Sequence, residues 1–158
     1  MKTTIFKKLS LALVCFVMLG LGACSKKNDG GVQPGTKGKT AKFTITVNGA
    51  PSSAYISFVM VGASTETSNN TIWKVNGVTR ENEQGVSLGK NDFSGSTKTY
   101  VVESVTPLRL ATVGIQCLSP DNASYTISYK AEIDGQVKND SQNVAVTGNA
   151  DFTHDYSY

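Results

Sequence analysis

The chain has 158 residues and a formal net charge of +3 at neutral pH, from 15 basic and 12 acidic residues. Three of the lysines, Lys2, Lys7 and Lys8, lie in a short N-terminal segment that contains no acid. The rest of the chain is therefore close to neutral, and its charge gives no support for nucleic-acid binding.

The N-terminal segment has the composition of an export signal. Met1–Lys8 is basic, and Leu9–Leu21 is apolar but shorter than the roughly 20 residues that a membrane-spanning helix needs. A basic start, a short apolar core and small residues after it are typical of a secretory signal peptide. The alternative is an uncleaved N-terminal anchor.

Leu21-Gly22-Ala23-Cys24 closes the apolar segment and resembles the lipobox of bacterial lipoproteins. The resemblance implies that residues 1–23 are a signal peptide, which is removed, and that Cys24 is acylated. In Gram-negative lipoproteins the residue after the cysteine affects sorting, and Ser25 is not the aspartate that retains lipoproteins in the inner membrane. We therefore expect an outer membrane lipoprotein, with its periplasmic or surface-facing side left open.

Residues 24–42 are predicted to form the acylated cysteine and a disordered tether. Ser25–Ala41 is rich in Lys, Gly and other polar residues, so it cannot bury enough apolar surface to offset its ordering entropy. A flexible coil of this length has a root-mean-square span of roughly 20–25 Å. Its lysines suit anionic lipid headgroups, although a solvated linker explains them equally well.

The chain from residue 43 onward reads as a series of β-strands. Phe43, Ile45 and Val47 alternate with threonines, which indicates a half-buried strand. Ala54–Val61 is apolar on both faces apart from Ser57, as expected for a central strand.

Asn76-Gly77 is a strong hairpin signal, because both residues accept a positive φ. A two-residue turn at this position pairs Val75 with Val78 and Trp73 with Arg80. Further strands are predicted at Val86–Leu88, Thr97–Glu103, Leu108–Leu118, Tyr125–Ile133, Val144–Val146 and around Phe152–Tyr158.

A second turn is predicted at Asp134-Gly135, where two registers are open. A strict two-residue turn sets Ile133 opposite Gln136, whereas placing Val137 beside Ile133 requires a β-bulge. The segment Ile133–Val137 also resembles the C-terminal hairpin of the small MmpS-type proteins that accompany lipid exporters. This likeness covers a single hairpin.

Residues 43–158 are therefore predicted to form one all-β domain. Seven to nine short strands with turns between them indicate a sandwich or barrel, and the size favours a single immunoglobulin-like β-sandwich. No segment after Phe43 shows a helical period.

The residues that could carry chemistry are few. His154 is the only histidine, and no G-x-S-x-G motif accompanies it, so we interpret it as a strand-face residue rather than a general base. Cys15 leaves with the signal peptide and Cys24 carries lipid, so Cys117 has no disulfide partner and is predicted to be buried with Ala111, Val113 and Ile115. Cys117 and His154 cannot complete a zinc site, and Asp134–Asp140 lacks the spacing of a calcium loop.

Two aromatic features could bind a partner. Trp73 is predicted either to lie in the core or, beside Arg80, to form a platform for a sugar or peptide. Tyr156 and Tyr158 share a strand face with Phe152 and could line an edge that accepts a partner strand, or pack against the fold.

These observations predict a lipid-anchored, non-enzymatic envelope protein that binds a protein, glycan or envelope component. The alternatives are an accessory subunit of an envelope transport or assembly system and, from a different class, a small hydrolase that uses His154. We expect no cofactor, no metal and no catalytic residue.

Overall fold

A computed structural model describes residues 37–94, 98–121 and 123–158. The predicted signal peptide, Cys24 and most of the predicted tether lie outside these residues. Within the described ranges, no helix is long and apolar enough to cross a membrane.

Two antiparallel sheets form a β-sandwich, which confirms the all-β prediction, with ten strands in the described residues rather than seven to nine. The six-stranded sheet contains, in spatial order, β4 (Val78–Thr79), β3 (Trp73–Val75), β6 (Lys98–Ser104), β1 (Ala41–Asn48), β8 (Tyr125–Ile133) and β9 (Gln136–Val146). The four-stranded sheet contains β10 (Phe152–Ser157), β7 (Leu108–Leu118), β2 (Tyr55–Ser64) and β5 (Gly85–Gly89).

The core lies between the sheets and is built by the alternating residues that the sequence identified. Every second residue of β8 from Tyr125 to Ile133 is buried, and so are Phe43 and Ile45 of β1 and Phe58 of β2. Each large apolar side chain that is fully buried contributes roughly 1.5–3 kcal/mol relative to exposure. The predicted phase of these strands is therefore confirmed.

One helical turn, α1 (Lys90–Phe93), follows β5 and was not predicted. Phe93 is fully buried, and its ring centroid lies 5.6 Å from that of Phe58 and 5.1 Å from that of Tyr100. Four residues are too few to show a helical period. The turn is held by the buried Phe93 and by a cap, in which the Gly89 N–H donates to the Asp92 carboxylate at 2.8 Å.

The predicted central position of β2 is confirmed, because β2 lies between β7 and β5, but only one of its faces is buried. Tyr55, Val59 and Val61 are exposed on the other face. In a two-layered sandwich, each sheet has one face covered by the other sheet and one face open to solvent. A strand that is apolar on both faces, such as β2, therefore exposes the apolar residues of its outer face.

Both predicted hairpin turns are present. Asn76 and Gly77 have φ values of 48° and 83°, and Val75 pairs with Val78. The Arg80 N–H donates to the Trp73 carbonyl at 2.8 Å, as the two-residue turn predicts.

The register at Asp134-Gly135 is also resolved. Ile133 pairs with Gln136, so the turn has two residues, and both turn residues have positive φ. A bulge lies further along the hairpin, between Ala131 and Glu132. The β8–β9 hairpin therefore has a strict turn followed by an irregular ladder.

The folded domain begins before Phe43, where the sequence placed the boundary. β1 starts at Ala41, and Lys39 and Leu108 exchange two backbone hydrogen bonds of 2.8 Å. The Thr40 N–H donates to the Asp134 carboxylate at 2.8 Å. The end of the predicted tether is thus part of the sandwich.

Candidate functional site

Trp73 lies in the core. Its indole has no exposed surface, its ring centroid is 5.8 Å from that of Phe43, and its Nε1–H donates to the Gln84 carbonyl at 3.0 Å. A Cβ on Gly62 would lie 2.8 Å from the indole, so this glycine allows the sheets to approach. The ligand-platform prediction is corrected, because a fully buried ring leaves no face for a sugar or peptide and the exposed Arg80 has no accessible indole beside it.

Cys117 is fully buried, in agreement with its predicted face. Burial raises the pKa of the thiol to about 12, although hydrogen bonding with Tyr125 acts in the opposite direction. At neutral pH the side chain is a protonated thiol and a weak nucleophile. It therefore acts as a small core residue.

His154 is exposed on β10 between two aromatic rings. Its ring centroid lies 4.4 Å from that of Phe152 and 5.4 Å from that of Tyr156. Among the described residues, no carboxylate accepts a hydrogen bond from His154, and no group of three or more His, Cys, Asp and Glu side chains could hold a metal ion. A general base requires an orienting partner that this geometry does not supply.

The inward-facing side chains of β10 and Tyr158 form a continuous row, here called the β10 aromatic row: Phe152, His154, Tyr156 and Tyr158. The ring centroids of Tyr156 and Tyr158 are 6.1 Å apart and their planes are inclined by 25°, so these two rings stack as His154 and Tyr156 do. Phe152 is buried, His154 is exposed, and both tyrosines are half-buried. The row therefore lies along one edge of the four-stranded sheet and is most exposed at His154.

Side chains of β8 and β9, in the facing sheet, hold the row in place. Tyr129 stacks on Tyr156, and the hydroxyls of Tyr129 and Tyr158 lie 3.1 Å apart. The Tyr158 hydroxyl also donates to Asn139 Oδ1 at 2.6 Å. Burial raises the pKa of all three tyrosines further above neutral pH, so these hydroxyls are protonated when the contacts form. The half-exposed rings are thus held in place before any ligand arrives.

The backbone of β10 has one free side in the described structure. β10 pairs only with β7, and Tyr158 and Ala111 exchange two hydrogen bonds. Because hydrogen-bonded pairs alternate along an antiparallel ladder, the backbone N–H and C=O groups of Thr153, Asp155 and Ser157 point away from β7. The edge therefore presents a line of backbone donors and acceptors directly beside the aromatic row.

The opposite sheet extends past this edge. Tyr129 on β8 packs over Tyr156 on β10, and β9 lies one strand further out than β8. On β9, Asn139, Ser141 and Val144 are half-buried. No strand in the described residues lies next to β10 beneath β9, so one more strand there would complete the facing layer.

The other long edge is better protected. β9 carries two register shifts, and Lys138 and Asp140 lie along it. Bulges and charges discourage the addition of another strand. β10 pairs with β7 without a register shift and has no proline and no lysine, although it carries Asp155, so it is the more receptive edge.

A polar pocket of about 220 Å³ opens on the outer face of the six-stranded sheet, lined in part by Lys42, Glu103 and Glu132. Its charges are already paired within the fold. Glu103 lies 3.8 Å from Lys42 and 3.2 Å from Lys74, and Glu132 lies 3.2 Å from Lys130. The pocket therefore presents ion pairs rather than an unsatisfied group that requires a ligand.

No protein-family model and no curated protein matches the chain. Among solved structures, it is similar to a DUF4425 family protein from Bacteroides ovatus, with a TM-score of 0.52 and 12% identity over 78% of this chain and 95% of that one. A DUF4425 domain of unknown function from Bacteroides vulgatus gives a TM-score of 0.55 and 16% identity over 78% and 95% of the two chains. The calcium-bound form of a protein from Parabacteroides distasonis gives a TM-score of 0.51 and 16% identity over 78% of this chain and 96% of that one. At these identities, the similarity shows the sandwich fold alone.

Proposed function

We propose that this protein is a lipid-anchored, non-enzymatic component of the bacterial envelope that binds an extended segment of a partner protein along β10. The observation that carries this proposal is the free β10 edge beside a half-exposed row of aromatic rings. In such a complex, the outward backbone groups of Thr153, Asp155 and Ser157 pair with the partner backbone. Alternate partner side chains then pack on the row, which gives the interaction its specificity.

The position of β9 favours one extended segment over the edge of another folded sheet. Tyr156 of β10 packs on Tyr129 of β8, and Tyr158 reaches Asn139 of β9, so we expect β9 side chains to face a strand added beside β10. We expect a single extended segment to fit in this position more easily than the edge of a second folded sheet. Asn139 and Ser141 offer polar contacts to such a segment, and Val144 offers an apolar one.

The proposed anchor is the lipid on Cys24. One acyl chain gives only marginal membrane binding, whereas two or more hold a protein stably. Cys24→Ser is expected to move the protein from the membrane fraction to the soluble fraction. Retention of the variant in the membrane pellet would contradict lipid attachment at this residue.

The edge is tested by comparing Asp155→Pro with Asp155→Ala. The Asp155 N–H points away from β7, so proline removes an outward donor and obstructs strand addition while leaving the β7 ladder intact. Each lipidated variant is incubated with envelope extract, and the captured proteins are quantified against wild type. We expect capture to fall at least about tenfold for proline, the equivalent of 1.4 kcal/mol, and to remain near wild type for alanine.

Equal capture by both variants would contradict strand addition at β10. If Asp155→Pro loses its circular dichroism signal, Tyr156→Ser replaces it, because that change removes a half-exposed ring and no backbone group. Capture is repeated with calcium and with a chelator, since a structurally similar protein has a calcium-bound form. A strict calcium requirement would indicate a metal-dependent interaction instead of the one proposed.

The hydrolase alternative is tested at His154. If this residue were a general base, His154→Gln would lower the rate roughly 100-fold or more. We expect neither protein to show turnover in a screen of esterase, glycosidase and peptidase substrates. Activity that is present in wild type and absent in the variant would support the hydrolase alternative and contradict the proposed non-enzymatic role.

A further inference from the structure

The outer faces of the two sheets differ sharply in chemistry. The outer face of the six-stranded sheet carries three ion pairs, in which Lys42, Lys74 and Lys130 take part. On the four-stranded sheet, neither β2 nor β7 has a charged residue apart from Arg109. Four large apolar residues are exposed on β2 and β7, here called the apolar outer patch: Tyr55, Val59, Val61 and Leu110, with exposed fractions of 39–49%.

Small neighbours leave the centre of this patch open. Val59 lies between Gly114 on β7 and Ser87 on β5, and Val61 lies between Thr112 and Gly85. These neighbours cannot shield the valine side chains from solvent. The β10 strand contributes one charge to this face: the Asp155 carboxylate, which lies 3.3 Å from the Cβ position of Gly114.

The chain enters the sandwich at one end of the same sheet. Lys39 pairs with Leu108, the first residue of β7, which is followed by Arg109 and Leu110. Arg109 is the extra residue of a bulge opposite β2 and is exposed. Lys37, Lys39 and Arg109 therefore place positive charge at the margin of the patch where the predicted tether arrives.

The tether is short. Twelve residues, 25–36, separate Cys24 from Lys37. If these residues form the flexible tether predicted from the sequence, its root-mean-square span is roughly 20 Å, and a lipid on Cys24 would hold this end of the sandwich near the bilayer. Such tethering produces a high effective concentration of the patch at the membrane surface.

We infer that the apolar outer patch rests on the bilayer into which the lipid on Cys24 inserts. Tyrosine and aliphatic side chains suit the boundary between headgroups and acyl chains, and the basic margin suits anionic headgroups. With the four-stranded sheet lying on the membrane, the β10 edge faces sideways and stays open to a partner. The inference rests on the lipid attachment proposed for Cys24 but not on the peptide site at β10.

The test places an environment-sensitive fluorophore on Val59→Cys in the lipidated protein, reconstituted in vesicles that contain anionic phospholipid. Thr99→Cys is the matched control, because Thr99 is exposed on the outer face of the other sheet. Cys117 is buried and Cys24 is acylated, so each protein carries one reactive thiol. We expect a blue-shifted emission and several-fold weaker quenching by aqueous iodide at position 59 than at position 99.

Equal quenching at the two positions would overturn the inference, because the sandwich would then move freely above the membrane. Shielding of position 59 in the unlipidated Cys24→Ser protein without vesicles would also overturn it, since another copy of the chain would then cover the patch. Leu110→Cys serves as a second probe if Val59→Cys does not fold. Adding Tyr156→Ser should leave the shielding unchanged, because Tyr156 faces the other sheet, and this separates the inference from the proposed peptide site.

Discussion

Tyr129 of β8 and Tyr156 of β10 stack across the two sheets, with ring centroids 5.5 Å apart and planes inclined by 6°. Tyr129 is fully buried, whereas Tyr156 is half-buried. The pair therefore joins the core to the β10 aromatic row. Substituting one ring or the other should separate the stability of the sandwich from partner binding.

Tyr129→Ala should lower the free energy of unfolding by roughly 3–5 kcal/mol, because it removes a large aromatic ring from the core. Tyr156→Ala should lower it by about 1 kcal/mol, yet strongly reduce partner capture. Urea denaturation and capture from envelope extract measure the two effects. If Tyr156→Ala captured partners as well as wild type, the β10 aromatic row would not contribute to binding.

Trp73 and Arg80 allow a similar comparison within one hairpin. Trp73→Ala should lower the free energy of unfolding by roughly 3–5 kcal/mol, because it leaves a cavity in the core. Arg80→Ala should change the free energy of unfolding by no more than about 0.5 kcal/mol, because the side chain is exposed and forms no ion pair in the described structure. Denaturation curves of both variants test this, and a large effect of Arg80→Ala would reveal a role that the structure does not show.

The sandwich could be predicted from the sequence because its strands alternate cleanly and its turns carry residues that accept positive φ. β8 and the Asn76-Gly77 hairpin illustrate both signals. Other features depend on tertiary contacts. Lys39 joins the fold through Leu108, a contact that no local pattern indicates. The α1 turn combines the packing of Phe93 on Phe58 with a local cap, in which the Gly89 N–H donates to the Asp92 carboxylate.

Cys117 should resist thiol reagents in the native protein and react after denaturation, since burial removes it from solvent and suppresses the thiolate. The experiment compares labelling rates in buffer and in denaturant, using Thr99→Cys as an exposed reference thiol. Native labelling of Cys117 at a rate close to that of position 99 would contradict its place between the sheets.

The stability of the sandwich should fall at alkaline pH. The pKa of Cys117 is raised from 9.0 to about 12, so the unfolded chain ionises first. Its contribution to stability is complete below about pH 9 and is lost as the pH rises toward 12. Burial also raises the pKa values of Tyr125 and Tyr129, which adds to the loss. Denaturation at several pH values should show a shallower decline for Cys117→Ala, and identical slopes would contradict the role of this thiol.

The candidate site was only partly visible in the sequence. The alternation of Phe152, His154, Tyr156 and Tyr158 identified a shared face at a possible edge. The overhang of β9 depends on the order of strands in two sheets, which one-dimensional periodicity does not contain. Trp73 shows the opposite case, because a lone indole in a sandwich is more often a core residue, but only the facing sheet excludes a ligand platform.

Crosslinking from the β10 edge tests the central claim most directly. A photoreactive phenylalanine analogue replaces His154 in the lipidated protein in intact cells, and the same analogue at Thr99 serves as the control. We predict crosslinks from position 154 to an envelope protein, at an extended segment with alternating apolar residues, that disappear when Asp155→Pro is added. Crosslinks of equal yield from both positions, or crosslinks from position 154 that persist with Asp155→Pro, would contradict strand addition at β10.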